Sequence, residues 1–486
     1  MRRTFALGSL ALVTCVGVGL WLHRRQPELP HVEANDEPIG ELEIDDTENA
    51  SELHSLPLEL SEPSDAGAAI ESATFDPTDG GTQAQSEAAG SLPTDAFLAQ
   101  PMALDRFYTR VAASLRGEGG VIRVAHYGDS LITSDYLSGT ARRLLQRDLG
   151  DGGHGFLAIA NPWEWYFHND VAHAASRGWR QSRITGPLAR DHAYGPAGVV
   201  FRGNPGASAV FGTAKDGPFG RNVSRFVLLY AARPGGGEVE LKSGESTHIV
   251  DTEAAEETPR HAVLEVEDGA AKMSVRVLRG EVKLYGVALE RERGVIYDAL
   301  GVLGARAKMW HATDLEHLRA CYTERAPALI VVQFGTNEIE AGPVDADYPK
   351  MLRDLLLRWQ GAAPEASLLL MAAPDRAERT ASGELRSNRT LQKLVAMQAE
   401  IAKDLGVAFF DTPAAMGGDG AMVRWVHQKL GSTDLVHPLP AGGERLGQLF
   451  VDALRAGYAR WREAHHDAPA WRAREPHSEA ASTSTN

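Results

Sequence analysis

A chain of 486 residues exceeds what one hydrophobic core usually organises, so two folded units plus unfolded segments are expected. The formal net charge of −16 is local: residues 31–100 carry many Asp and Glu and no Lys or Arg, and the remainder is close to neutral. With no basic stripe, nucleic acid is not an expected partner, and two cysteines, Cys15 and Cys321, exclude a disulfide framework.

The N-terminus runs Met1-Arg2-Arg3-Thr4 and then apolar over residues 5–22, about the length that crosses a bilayer as a helix. His23-Arg24-Arg25 follows where a small-residue cleavage site would stand, which favours a retained membrane anchor over a cleaved signal segment for residues 1–25. Residues 26–100 are Glu, Asp, Ser, Pro, Ala and Gly with scattered Leu, the composition of a disordered, self-repelling acidic linker. Residues 101–154 open with a helix-like stretch near 104–115. A strand over 121–127 follows, ending in Gly128-Asp129-Ser130, and then a helix through Leu144 and Leu145.

Over residues 155–293 the apolar period becomes two, as in Phe226-Val227-Leu228-Leu229-Tyr230 and Met273-Ser274-Val275-Arg276-Val277. Glycine-rich turns such as Pro234-Gly235-Gly236-Gly237 punctuate it, the pattern of an antiparallel β-sandwich inserted into another domain. At the start of this segment Trp163, Trp165, Tyr166 and Phe167 form an aromatic cluster, read first as packing. The alternative is a sugar-stacking platform of Trp163, Trp165 and Tyr166. From 294 to 464 the strand-loop-helix rhythm returns, with strands at 328–334, 367–371 and 407–410. Short apolar strands alternating with helices predict an α/β fold with a doubly wound parallel sheet, whose ligands bind at the carboxyl ends of the strands. Residues 465–486 read as a second disordered tail, and Cys321 as a small buried residue without a partner base.

Three segments fall just after predicted strands: Gly128-Asp129-Ser130-Leu131, Gly335-Thr336-Asn337-Glu338 and Asp434-Leu435-Val436-His437. An unassisted hydroxyl is a weak nucleophile, so acyl chemistry on a serine needs an imidazole to take its proton and a carboxylate to hold that imidazole. Ser130, His437 and Asp434 fill these three roles. The oxyanion of a tetrahedral intermediate needs donors, for which Asn337 offers its side chain and Ser130 its backbone N–H, with a glycine as the third. Asp129 reads as a hydrogen-bonding residue of the turn, and Glu338 as a solvated side chain or one that orients Asn337. His126, His154, His168 and His192 have no ligand-like spacing, so no metal is expected; no cofactor is expected either.

The three segments occur in the order used by SGNH/GDSL hydrolases, and the sequence resembles that family. The resemblance implies a flavodoxin-like three-layer fold and makes Leu300-Gly301-Val302-Leu303-Gly304-Ala305 the second block. Gly304 is then the backbone oxyanion donor in preference to Gly301. Ala373-Pro374-Asp375, the stretch from Asp411 to Trp425 and the β-rich insertion are similar to those of bacterial peptidoglycan O-acetylesterases. That subfamily implies a serine esterase acting on O-acetylated polysaccharide such as peptidoglycan, with an inserted domain like a carbohydrate-binding module. It also implies a location in the cell envelope, on the periplasmic side, inner-membrane anchored or secreted. Two alternatives stay open: an O-acetyltransferase using the same triad, and a catalytically inactive glycan-binding protein.

Overall fold

In the computed structural model, which describes residues 94–340 and 342–473, six strands build a central sheet. Their order across the sheet is Leu98–Ala99, Ala408–Phe410, Ser367–Ala372, Leu329–Phe334, Val121–Gly128 and Gly294–Gly301. The last five run parallel and lie in chain order 2-1-3-4-5 from the Gly294–Gly301 edge, the doubly wound arrangement predicted. The winding reverses between Val121–Gly128 and Leu329–Phe334, the place where such sheets open a crevice at their carboxyl ends.

These strands are apolar along their length because both faces are covered. Successive side chains point to opposite faces. Val124, Val331 and Leu369 meet Phe107, Leu145, Phe450 and Leu454 of the helices Asp105–Leu115, Tyr136–Leu149 and Pro440–Glu463. Tyr127, Ile330, Val332 and Leu370 meet Leu318, Leu352, Trp359 and Leu394 of Leu315–Arg325, Tyr348–Ala362 and Arg389–Leu405. Each fully buried Leu or Val of this kind contributes roughly 1.5–3 kcal/mol by leaving water.

The strands from Gly155–Ala158 to Val282–Glu290 form a five-stranded and a six-stranded sheet, antiparallel throughout. Val223–Ala232, at the heart of the second, is buried on both sides. Phe226, Leu228 and Tyr230 enter the core between the two sheets, while Val227, Leu229 and Ala231 enter the core shared with Leu315–Arg325. The Tyr285 hydroxyl lies 2.9 Å from His317 Nε2 of that helix. Beneath the junction Arg123 and Arg325 share the carboxylates of Glu290 and Asp298, with Arg325 Nη2 2.7 Å from Asp298 Oδ1 and Arg123 Nη2 3.0 Å from Glu290 Oε1. Removing one partner of so buried a network would strand a charge.

The structure corrects three expectations. The proposed disordered linker over 26–100 ends earlier, because Phe97 and Leu98 are buried and Leu98–Ala99 pairs with Phe409 and Phe410. The proposed tail over 465–486 starts later, because Ala468 and Trp471 are buried and the Trp471 indole donates to Asp148 Oδ2 at 3.0 Å. Gly294–Gly301, not foreseen as a strand, lines the sheet edge beside Val121–Gly128. The proposed anchor, residues 1–25, and most of the linker lie outside the described residues. Among the described residues no helix is long and apolar enough to cross a membrane.

Candidate active site

At the carboxyl end of Val121–Gly128 the chain turns directly into the short helix Ser130–Thr133. Gly128 permits the turn, since a Cβ there would lie 2.4 Å from Ile132 Cγ1 and 2.8 Å from Gln333 Oε1. Asp129 caps the helix, its Oδ1 accepting the Leu131 N–H at 3.1 Å, and is fully buried. Burial pushes its carboxyl up to about 6, against the Leu131 N–H and the charge of His437, which pull it down. Asp129 thus serves the turn, and Ser130 at the helix start stays partly accessible.

Ser130 Oγ lies 3.2 Å from His437 Nε2, and His437 Nδ1 lies 2.8 Å from Asp434 Oδ2. Asp434 and His437 share one turn, which Ala377 N tethers from outside by donating to the Leu435 carbonyl at 2.9 Å. Asp434 Oδ1 accepts the backbone N–H groups of Val436 at 2.8 Å and His437 at 2.9 Å, and Ser432 N donates back to the His437 carbonyl. Leu435 takes the left-handed φ of 65° that closes it. Burial opposes ionisation of Asp434, but the backbone and imidazole N–H groups of His437 and the N–H of Val436 outweigh it and hold the carboxyl below its usual value. Asp375, from the quoted Ala-Pro-Asp block, anchors the helix that leads into this loop: its Oδ2 accepts from Ser387 Oγ at 2.8 Å and from the Met422 N–H at 2.9 Å.

Asn337 begins a one-turn helix after Leu329–Phe334, across the switch point from Ser130. Gly335 makes room, because a Cβ there would meet Ala373 Cβ at 2.8 Å. Asn337 is buried and gives one amide hydrogen of Nδ2 to the Ala305 carbonyl at 3.0 Å, keeping the other. Gly304 is exposed in the turn after Gly294–Gly301, with a left-handed φ of 71° and open space where a Cβ would stand. Gly301 instead packs on the serine turn, where a Cβ would lie 2.8 Å from Ile132 Cβ and from the Thr133 nitrogen.

The aromatic cluster divides. Trp163 is buried, and Tyr166 packs edge-on against it with ring centres 5.4 Å apart while its hydroxyl accepts the Ala158 N–H. Trp165 and Phe167 are 50% and 40% exposed, and Phe167 leans on Tyr136 at the start of the helix that follows Ser130. Glu338 departs from the solvated reading. Its Oε1 accepts the Ala307 N–H at 2.8 Å, its Oε2 is buried, and burial pushes the carboxyl up to about 7. A glutamate beside a polar motif gives no sequence signal of such a contact. Cys321 is buried and its thiol is pushed up to about 12 by that burial. His126 sits in the core against the Tyr297 hydroxyl at 2.7 Å.

Residues 275–445 match the family described as GDSL-like Lipase/Acylhydrolase, a span holding Gly304, Asn337, Asp434 and His437 but beginning after Ser130. No curated protein matches the sequence. The fold is similar to that of a solved peptidoglycan O-acetylesterase, at 22% identity and a TM-score of 0.64, over 75% of this chain and 99% of that one. A family two carbohydrate esterase from Cellvibrio japonicus aligns over 60% of this chain and 98% of its own, at 12% identity and a TM-score of 0.26. Residues 275–445 are thus a domain that matches the GDSL-like lipase/acylhydrolase family.

Proposed function

We propose that this protein is a serine esterase that removes O-acetyl groups from a cell-envelope polysaccharide, peptidoglycan before others, with Ser130, His437 and Asp434 as its catalytic triad. The observation that carries the reading is the unbroken relay from Ser130 Oγ through His437 to Asp434 Oδ2, at 3.2 and 2.8 Å. His437 Nε2 takes the Ser130 proton as Oγ attacks the acetyl carbonyl, and Asp434 keeps Nδ1 protonated and steadies the imidazolium. The oxyanion is met by the backbone N–H groups of Ser130 and Gly304 and the remaining N–H of Asn337. His437 then gives its proton to the departing sugar oxygen. Water, activated by the same imidazole, releases acetate from the acyl-enzyme and restores Ser130.

For the substrate, support comes from the name of the solved protein whose fold this chain shares, and from the accessible rings. Trp165 and Phe167 offer flat apolar faces of the kind that receive pyranose rings, in place of the more buried Trp163 and Tyr166. An envelope location is proposed from the N-terminal apolar segment and its acidic linker. The test is acetate release from O-acetylated peptidoglycan and from acetylated xylan by the full chain and by its Ser130→Ala variant. Release that vanishes in the variant, with peptidoglycan preferred, is expected. An inert parent would overturn the esterase, and preference for xylan would overturn the substrate.

A further inference from the structure

Two adjacent residues after Leu329–Phe334 grip the loop after Gly294–Gly301 at two points. Asn337 Nδ2 donates to the Ala305 carbonyl at 3.0 Å, and Glu338 Oε1 accepts the Ala307 N–H at 2.8 Å. Gly304, the proposed backbone donor, immediately precedes this clamped stretch. Gly304 itself has little to hold it: it is exposed, its φ of 71° lies where glycine moves freely, and no heavy atom stands within 4 Å of its Cβ position. The loop's inner end is tied by Val302 N to the Gly128 carbonyl at 3.0 Å and by Ala305 N to Val302 at 3.0 Å. Its outer end depends on Glu338, because Ala307 N opens the turn Ala307–Ala312 and no carbonyl within that turn can take it.

We propose that Glu338 is a positioning residue of the oxyanion hole: through the Ala307 N–H it fixes the 304–307 loop, and so the direction of the Gly304 N–H, relative to Asn337 and Ser130. The inference rests on the reading of Ser130 and Gly304 above. It asks for an acceptor at Oε1 and makes no use of a negative charge, which accords with a carboxylate whose Oε2 is buried without a protein partner among the described residues. Misaiming one oxyanion donor weakens a contact made most strongly in the transition state, so the loss falls on kcat and spares KM.

The experiment compares the full chain with Glu338→Ala and Glu338→Gln in steady-state turnover of a small aryl acetate, with thermal unfolding of each. Glu338→Ala is expected to lower kcat about ten- to a hundredfold, with KM within about twofold of the parent. Glu338→Gln keeps an acceptor at the same place and is expected to retain kcat within about threefold. The positioning role is overturned by an unchanged kcat in Glu338→Ala, by a fall in stability with KM and kcat moving together, or by a glutamine variant as impaired as the alanine one. Where the alanine variant does not fold, a folded glutamine variant whose kcat falls by more than about threefold overturns the role by itself. An inert parent would mean that the esterase reading has failed, whereas a Ser130-dependent parent with unaffected Glu338 variants would remove this inference alone.

Discussion

The two halves of the site are built on opposite principles. The serine half is buried and held by tertiary packing: Gly128 has no room for a methyl group, Asp129 is fully enclosed, and Asn337 reaches across the switch point to the Ala305 carbonyl. The Asp434–His437 half is exposed and held mostly by its own turn, with Asp434 bonded to the backbone and ring of His437 three residues on. The first is fixed by what surrounds it, the second chiefly by bonds within residues 432–437, with one outside tether from Ala377 N to the Leu435 carbonyl at 2.9 Å. A change that disturbs the packing of the serine half should therefore cost stability and activity together, and one in the exposed loop activity alone.

The largest test of that contrast is Asp434→Asn. The amide keeps an acceptor for the two backbone N–H groups, but its NH₂ faces His437 Nδ1 and favours the wrong tautomer, so kcat should fall by about ten-thousand-fold. Because Asp434 is about half exposed, melting temperature should stay within a degree or two. A comparable loss of stability would show that the loop is not held mostly by its own turn. Asn337→Ala should lower kcat about a hundred- to a thousandfold, as expected for one oxyanion donor. It should also cost about 1 kcal/mol, since the Ala305 carbonyl loses its side-chain partner. Denaturant unfolding beside kinetics reads both.

Gly128→Ala is the sharper test of the packed half. With a neighbour at 2.4 Å the new methyl must push Ile132 or the backbone aside, so about 1–3 kcal/mol of stability should be lost. Turnover should fall with it, roughly tenfold or more, as Ser130 moves from its place beside His437. Full stability with full activity would mean that the turn yields freely.

The same contrast explains what was legible in the sequence. Gly128-Asp129-Ser130 and Asp434 to His437 are local devices whose residue types announce their geometry, and the apolar runs at 121–127 and 328–334 announce strands buried on both faces. Leu98–Ala99 is too short to show a period, and Trp471 looks like part of a polar tail until Asp148 is brought to its indole from 323 residues away. Gly294–Gly301 follows directly on antiparallel strands of similar composition, so its change of sheet has no local mark. Trp163 and Tyr166 are chemically as suited to sugar as Trp165, and only packing separates them. The role of Glu338 depends on Ala307, 31 residues earlier, and no spacing rule connects the two.

A last prediction, which concerns stability and leaves the catalytic geometry alone, separates the packed half from its charge. Asp129 is pushed up to about 6 by burial, so the folded protein binds its proton more tightly than the unfolded chain, where the carboxyl titrates near 3.8. Between those values stability must fall as pH rises, and above them the cost stays, at most about 3 kcal/mol for a shift of this size. Asp129→Asn keeps an oxygen for the Leu131 N–H and removes the titration. Relative to the parent, the variant should gain stability steadily from pH 4 to pH 7 and no further beyond. Glu338, pushed up to about 7, leaves a residual slope of the same sign in both proteins. Calorimetric melting of the pair across that range decides it: a difference that does not change with pH would mean that Asp129 holds the serine turn with its charge intact, and that the packed half tolerates a carboxylate in its core.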